Sequence, residues 1–395
     1  MHRIRVAHVA TVDLTLRFLL LGQMRRLRDE GFDVTAISAP GPWTAALEAE
    51  GIRHIQWRHA TRAWHPVADV RAFRELFGIF ARESFDLVHT HNPKPGVLGR
   101  PAARLAGVPC VLNTVHGLYA TPEDRPLRRA AVLGVERVAG WFSDLELYQS
   151  EEDLRWARAA RVARAGRSVL LGNGTDLSRF DPSAVDPSRT SSLRSEFSIR
   201  DGELVVGIVG RMVAEKGYRE FFAAARAVRH RHPGIRFLVV GQVDHEKSDA
   251  ISHDELAKAG ADVIFTGWRE DVRDLMALMD VFVLPSWREG LPRSAIEAAS
   301  MGKPSVLTDV RGCREVGRDG EEALLVPPRD PERLAAAIEL LVCDASLRAR
   351  LGRAARRRAL ERFDEQRVGD VILAAYRTVL QRKKVAGGIA TIKAR

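Results

Sequence analysis

Cysteine is nearly missing from this chain: three residues in 395, Cys110, Cys313 and Cys343, odd in number and far apart. That excludes a disulfide framework and offers no zinc-ligand spacing, so a reducing, cytoplasmic setting is expected. Long hydrophobic runs are missing too. No stretch approaches the roughly 18 apolar residues of a spanning helix. The opening MHRIRVAHVAT alternates like a strand and lacks the apolar core of a secretory signal. Aromatic residues make up only 7%, and no helix-turn-helix, zinc-finger or aromatic RNA-binding signature occurs. Metal ligation has little foothold: there is no suitably placed Asp-x-Asp, and the spacing of His89, His91 and His116 does not make a metal centre.

Positive charge is what the chain has in excess. Lys and Arg number 61 against 51 Asp and Glu, a net charge of +10. Such a balance implies an anionic partner: a phosphorylated substrate, an anionic membrane surface or nucleic acid. At 395 residues, two domains are expected.

The pattern of elements agrees. Short β-rich runs, RIRVAHVAT, DVTAISA, RHIQW, DLVHTHN, PCVLNTVHG, LELYQS and SVLLGNG, alternate with amphipathic stretches such as LTLRFLLLGQMRRLRDEG. A Gly, Pro, Ser and Asp-rich passage, GNGTDLSRFDPSAVDPSRTSS, reads as a linker. The alternation then resumes with ELVVGIVG, IRFLVVGQ, DVIFTGW, DVFVLPS, KPSVLTD and EALLVPP, and the chain finishes in helices with a basic tail. This predicts an α/β fold of two doubly wound parallel sheets, residues 1–175 and 195–362, with a helix at about 365–382 packing back on the first. Two such domains facing across a cleft would hold a ligand beyond the carboxyl ends of their strands, where functional residues are therefore expected.

Several conspicuous residues follow strands. In GIVGRMVAEKGYREF, Gly210 ends a strand, Arg211 follows, and Lys216 precedes Gly217 at a helix start: two cations and free N–H groups suited to a diphosphate. It is not a Walker A loop, because Tyr218 stands where Ser or Thr would be needed. In EGLPRSAIEAASMGKP, Glu289 lies in a loop, Gly290, Leu291 and Pro292 open a helix, and Glu297 sits within it. A carboxylate there suits a pair of ribose hydroxyls. His116, ending PCVLNTVHG, is placed to meet a sugar hydroxyl or phosphate oxygen, with His89 and His91 weaker candidates of the same kind. Thr11 and Asp13 follow the first strand, where no glycine-rich phosphate cradle is found. The stretches PLRRAAVLGVERVAGWF and DLRWARAARVARAGR are basic and amphipathic. They are either packed surface helices or helices lying on anionic lipid with Trp141, Phe142 or Trp156 inserted.

Together GRMVAEKG, the double-glutamate segment, TVHG, GNGTD and DGEEALLVPPRDPERLAAAI resemble those of GT-B glycosyltransferases of the GT4 family, over nearly the whole chain. The resemblance implies retaining transfer of a sugar from a nucleotide donor, UDP-linked by expectation, without a metal or other cofactor. By it, Arg211 and Lys216 would bind the diphosphate, Glu297 the ribose, and Glu289 with the backbone of Gly290 and Leu291 the donor sugar. His116 would stand by the reacting sugar and Trp268 near the base. The family's Gly-Gly loop after the first strand is replaced here by TVDLTLRF, as in members acting on polyprenyl-diphosphate-linked sugars, whose corresponding segment DVRGCREV also resembles. An undecaprenyl-diphosphate-linked acceptor at the inner face of the cytoplasmic membrane is therefore expected. A soluble acceptor and a non-enzymatic nucleic-acid-binding role are the alternatives.

Overall fold

A computed structural model describes residues 3–91, 93–121 and 124–385; most of the basic tail lies outside them. The chain forms two compact units. The first runs to Gly172 and resumes at Arg367; the second spans Asn173–Gln366.

The first unit has seven strands: β1 (Arg5–Val12), β2 (Asp33–Ala39), β3 (Arg53–Gln56), β4 (Leu87–His91), β5 (Cys110–Val115), β6 (Leu145–Tyr148) and β7 (Ser168–Leu170). They pair in parallel in the order β3-β2-β1-β4-β5-β6-β7. The second unit has six: β8 (Leu204–Val209), β9 (Ile235–Val240), β10 (Val263–Phe265), β11 (Val281–Leu284), β12 (Ser305–Thr308) and β13 (Ala323–Val326), ordered β10-β9-β8-β11-β12-β13 and likewise parallel. Both are doubly wound sheets, as the alternation predicts. Their central strands are apolar on both faces because helices cover both, which is why LVVGIV and VFVL read as continuous buried runs. The expected helix after β1 is present but interrupted: Asp13–Thr15, one π-helical turn at Leu16–Leu20, then Leu21–Asp29.

Each sheet reverses its winding once, between β1 and β4 in the first unit and between β8 and β11 in the second. Loops diverge to opposite faces at such a point and leave a crevice beyond the carboxyl ends. The passage read as a linker packs into the second unit, with Phe180 and Leu193 buried in its core and a helix at Pro187–Glu196. The helix Glu365–Arg382 completes the first unit's core: Ile372, Leu373, Tyr376, Val379 and Leu380 lie against Val6, Leu87, Leu112 and Leu147. On the opposite face of that sheet, Arg100 is wholly buried. It donates to Glu146 Oε1 at 2.5 Å, Glu136 Oε2 at 2.7 Å and the Gly96 carbonyl at 2.6 Å.

Candidate active site

The second unit's crevice is built by the segments after β8 and β11. Beyond β8 the chain passes Gly210 and Arg211, makes a short 3-10 turn at Ala214–Lys216, and enters the helix Tyr218–Arg231 through Gly217. Gly217 has φ of 77°, and a Cβ there would fall 2.0 Å from the Pro285 carbonyl oxygen. Glycine alone lets the Lys216 turn press against the segment leaving β11. A second close approach fixes the other side. Gly312, at φ 76°, leaves room for the Gly290 carbonyl, which a Cβ would meet at 1.8 Å.

That compression sets the chemistry. Lys216 Nζ lies 2.6 Å from Glu289 Oε1, which also accepts from Ser286 Oγ at 2.7 Å. The Ser286 carbonyl in turn accepts from Thr308 Oγ1 at the end of β12. The Glu289 side chain is only 8% exposed against 25% for Lys216, so the cation is held on a buried carboxylate and faces outward from it. Arg211 is likewise engaged, in an ion pair with Asp244 beyond β9. The two cations read from sequence as a free anion grip are thus each neutralised, and an incoming anion shares them with Glu289 and Asp244. Neither the helix entered at Gly217 nor the one entered at Pro292 has a side-chain cap, so their first N–H groups add donors on the same edge.

Pro292 stands at the N-cap of the helix Arg293–Ser300, one position before the first turn in which it was expected. Leu291 is buried, and the Glu297 side chain is only 13% exposed in a helix whose neighbouring residues are small and apolar. The polar group opposite Glu297 is Arg293 on the preceding turn, Nε to Oε1 3.1 Å. Burial holds the Glu297 carboxyl above its ordinary range, with Arg293 opposing. Trp268 lies exposed beyond β10, on a loop tied to β9 by the Gly241 N–H donating to the Gly267 carbonyl.

In the first unit His116 follows β5, with Nε2 3.2 Å from His91 Nδ1. Burial lowers it to about 4. It therefore belongs to a cluster that also holds His89 and, unforeseen from the sequence, His8 and Tyr376. Asp13 is committed elsewhere: its carboxylate accepts from the Leu14 N–H at 2.8 Å and the Trp43 N–H at 2.7 Å, bracing the segments after β1 and β2. Of the three aromatics named for lipid contact, Trp141 is exposed, but Trp156 packs with Leu118, Tyr148 and Leu154, and Phe142 is half-buried. The second basic stretch is accordingly a packed helix, Glu151–Ala159. Among the described residues no helix is long and apolar enough to cross a membrane.

Two family models match. One described as glycosyl transferases group 1 covers residues 203–344, and one described as a glycosyl transferase 4-like domain covers 19–174. The putative glycosyltransferase EpsD of Bacillus subtilis is 30% identical over 314 residues, 78% of this chain and 80% of that one. The UDP-Gal:alpha-D-GlcNAc-diphosphoundecaprenol alpha-1,3-galactosyltransferase of Escherichia coli is 28% identical over 315 residues, again 78% and 80%. Among solved structures, Anabaena Alr3699/HepE in complex with UDP-glucose superposes with a TM-score of 0.78, at 21% identity, over 95% of this chain and 100% of that one.

Proposed function

The chain belongs to the group 1, GT4-type glycosyltransferases, and from that premise we propose that it moves a hexose or N-acetylhexosamine from a UDP-sugar to an undecaprenyl-diphosphate-linked sugar, with retention, in the assembly of a surface glycan. The observation that carries the donor half is the Lys216–Glu289 pair at the winding reversal between β8 and β11. There a fixed cation meets the diphosphate as its negative charge develops, and the uncapped helix starts add dipoles that need no reorganisation. Glu297 accepts the ribose hydroxyls, Glu289 with the backbone of Gly290 and Leu291 takes the donor sugar, and Trp268 flanks the base. Lys216 and Arg211 supply the charge that a metal supplies elsewhere, so the reading calls for none. The acceptor hydroxyl attacks from the face that the diphosphate leaves.

The acceptor half is supported by the Escherichia coli relative, whose name carries both a UDP-sugar and a diphosphoundecaprenol-linked acceptor. It is tested by incubating the protein with a panel of UDP- and GDP-sugars, with and without polyprenyl-diphosphate-linked sugar, and reading nucleotide diphosphate release. Release from one UDP-sugar only when the lipid is present is expected. Equal release onto a soluble acceptor would overturn the lipid-linked half. In the same assay Glu297→Ala is expected to raise the donor KM by about 10- to 100-fold, the worth of a charge-assisted hydrogen bond.

The membrane side of the reading rests on the helix Pro126–Gly140. Leu127 is 85% exposed and Trp141, just past its end, 59%, with Val135 and Val138 also exposed and Arg125, Arg128 and Arg137 among them. Such a mixture suits anionic headgroups over an apolar layer, which supports a peripheral position on the inner face of the cytoplasmic membrane. Leu127→Glu with Trp141→Glu is expected to weaken sedimentation with phosphatidylglycerol vesicles by roughly tenfold or more, leaving UDP-sugar binding unchanged. Undiminished sedimentation would remove this surface from the account.

A further inference from the structure

Four histidines, a tyrosine and a threonine of the first unit form one continuous file of hydrogen bonds. Thr114 Oγ1 lies 2.7 Å from His89 Nε2, and His89 Nδ1 lies 2.9 Å from the Tyr376 hydroxyl. That hydroxyl is 3.1 Å from His8 Nε2, and His8 Nδ1 is 3.0 Å from His91 Nε2. The file closes on the candidate site, His91 Nδ1 lying 3.2 Å from His116 Nε2. Sheet register is the cause. His8 pairs with His89, and His91 with Thr114, so these side chains line one face of the sheet, running from the middle of β1 and β4 to the carboxyl ends of β4 and β5, and Tyr376 from the last helix meets them there.

The file has a direction. Burial lowers His8 to about 3 and His116 to about 4, and holds His89 and His91 well below the ordinary histidine range. Each ring is then neutral near pH 7, with one N–H and one lone pair. A neutral ring that receives at one nitrogen donates from the other, so each histidine passes the direction on; the Tyr376 hydroxyl has room to accept from both neighbours, but only by leaving its own buried hydrogen without an acceptor, so it passes the direction on as well. Thr114 decides which way. Among the described residues, His89 is the one side chain or carbonyl its buried hydroxyl meets. A buried hydroxyl hydrogen left without an acceptor is costly, so Thr114 donates. His89 then donates from Nδ1 to Tyr376, Tyr376 to His8 Nε2, His8 from Nδ1 to His91, and His91 from Nδ1 to His116 Nε2. The hydrogen of His116 is left on Nδ1, and the Gln149 side chain also bonds this ring.

We propose that Thr114, His89, Tyr376, His8 and His91 are positioning residues that hold His116 as a neutral Nδ1–H donor, so that it meets the reacting sugar as a hydrogen-bond donor and not as a base or a cation. The inference rests on the reading of His116 as the residue beside that sugar. In the complex that Nδ1 hydrogen is the one a sugar oxygen accepts. Ring nitrogens of His8, His89 and His91 also lie within 4.8 Å of one another, a spacing a metal ion could use. Both nitrogens of each ring are already engaged in the file, however, and a metal would have to break it.

The test uses full-length protein carrying 15N-histidine, with tautomers read from long-range 1H–15N correlations beside kcat and KM. Wild-type His116 is expected as the Nδ1–H tautomer. Tyr376→Phe, which removes the hydroxyl from mid-file, is expected to give a mixture of tautomers at His116 and to lower kcat about tenfold with the donor KM within twofold. Should that variant fold poorly, Thr114→Val is expected to mix the tautomers and Thr114→Ser to restore the single one. An Nε2–H tautomer in the wild type, stoichiometric zinc in the purified protein, or a shifted tautomer with unchanged kcat would each overturn the proposal. A wild type inert towards every donor would sink the catalytic reading of His116, and the tautomer pattern would then decide the file by itself.

Discussion

Lys216→Ala is expected to lower kcat for sugar transfer by about 10²- to 10³-fold, with the donor KM moving far less, because the positive charge acts mainly on charge that develops as the diphosphate leaves. Initial rates at saturating UDP-sugar measure it. The substitution also leaves Glu289, 8% exposed, with Ser286 as its remaining hydrogen-bond partner. An unpaired buried carboxylate could itself disturb the site. The double variant Lys216→Ala, Glu289→Gln separates the two causes. Glu289→Gln alone is the baseline, since Glu289 also meets the donor sugar: if the missing cation is responsible, the double variant stays far slower than Glu289→Gln, whereas equal rates would show that Lys216 serves only to neutralise Glu289.

An effect of comparable size, on stability, is expected in the first unit. Arg100→Ala removes a cation shared by Glu146 and Glu136 and abandons a carboxylate among buried groups, at a cost of about 3–5 kcal/mol. Because the chain has two units, a single unfolding midpoint would blur the result. Hydrogen exchange of the β5 and β6 amides, which flank this cluster, is the suitable reading: their protection should fall steeply while that of β8 and β11 holds. Arg100→Met combined with Glu146→Gln, which exchanges charges for similar volume, should recover much of the loss. If β5 and β6 exchange no faster in Arg100→Ala, the cluster contributes little to holding the unit together.

How far these features could be read from sequence follows from the range of the interactions involved. All thirteen strands of the two sheets coincide with β-rich runs visible in the chain, the central ones because a parallel strand buried on both faces must be locally apolar. The loops after β8 and β11 were legible for a related reason: glycines and charges directly following such a run mark a sheet edge. What the charges meet was not legible. Asp244 opposite Arg211 lies 33 positions away and has no local signature, and Arg293 opposite Glu297 looks like any surface arginine on a helix. The histidine file was further out of reach. His8 sits in an ordinary strand pattern, and the contact of Tyr376 with it spans 368 positions. Register and tertiary packing, not sequence spacing, bring those groups together. The basic stretches show the converse: both have an amphipathic period, yet only packing distinguishes Trp156, covered, from Trp141, bare.

The return of the last helix to the first unit has a consequence for synthesis. The second unit is one uninterrupted segment and can close as soon as it leaves the ribosome, whereas the first, although begun earlier, lacks Ile372, Leu373, Tyr376 and Leu380 until the helix after the second unit is made. At typical elongation speeds the roughly 200 codons between its two parts take on the order of 10–40 s. Throughout that interval the sheet face carrying Val6, Leu87, Leu112 and Leu147 waits without its cover. Of the two units, the one begun first is therefore completed second, with one apolar face of its sheet open to water in the meantime.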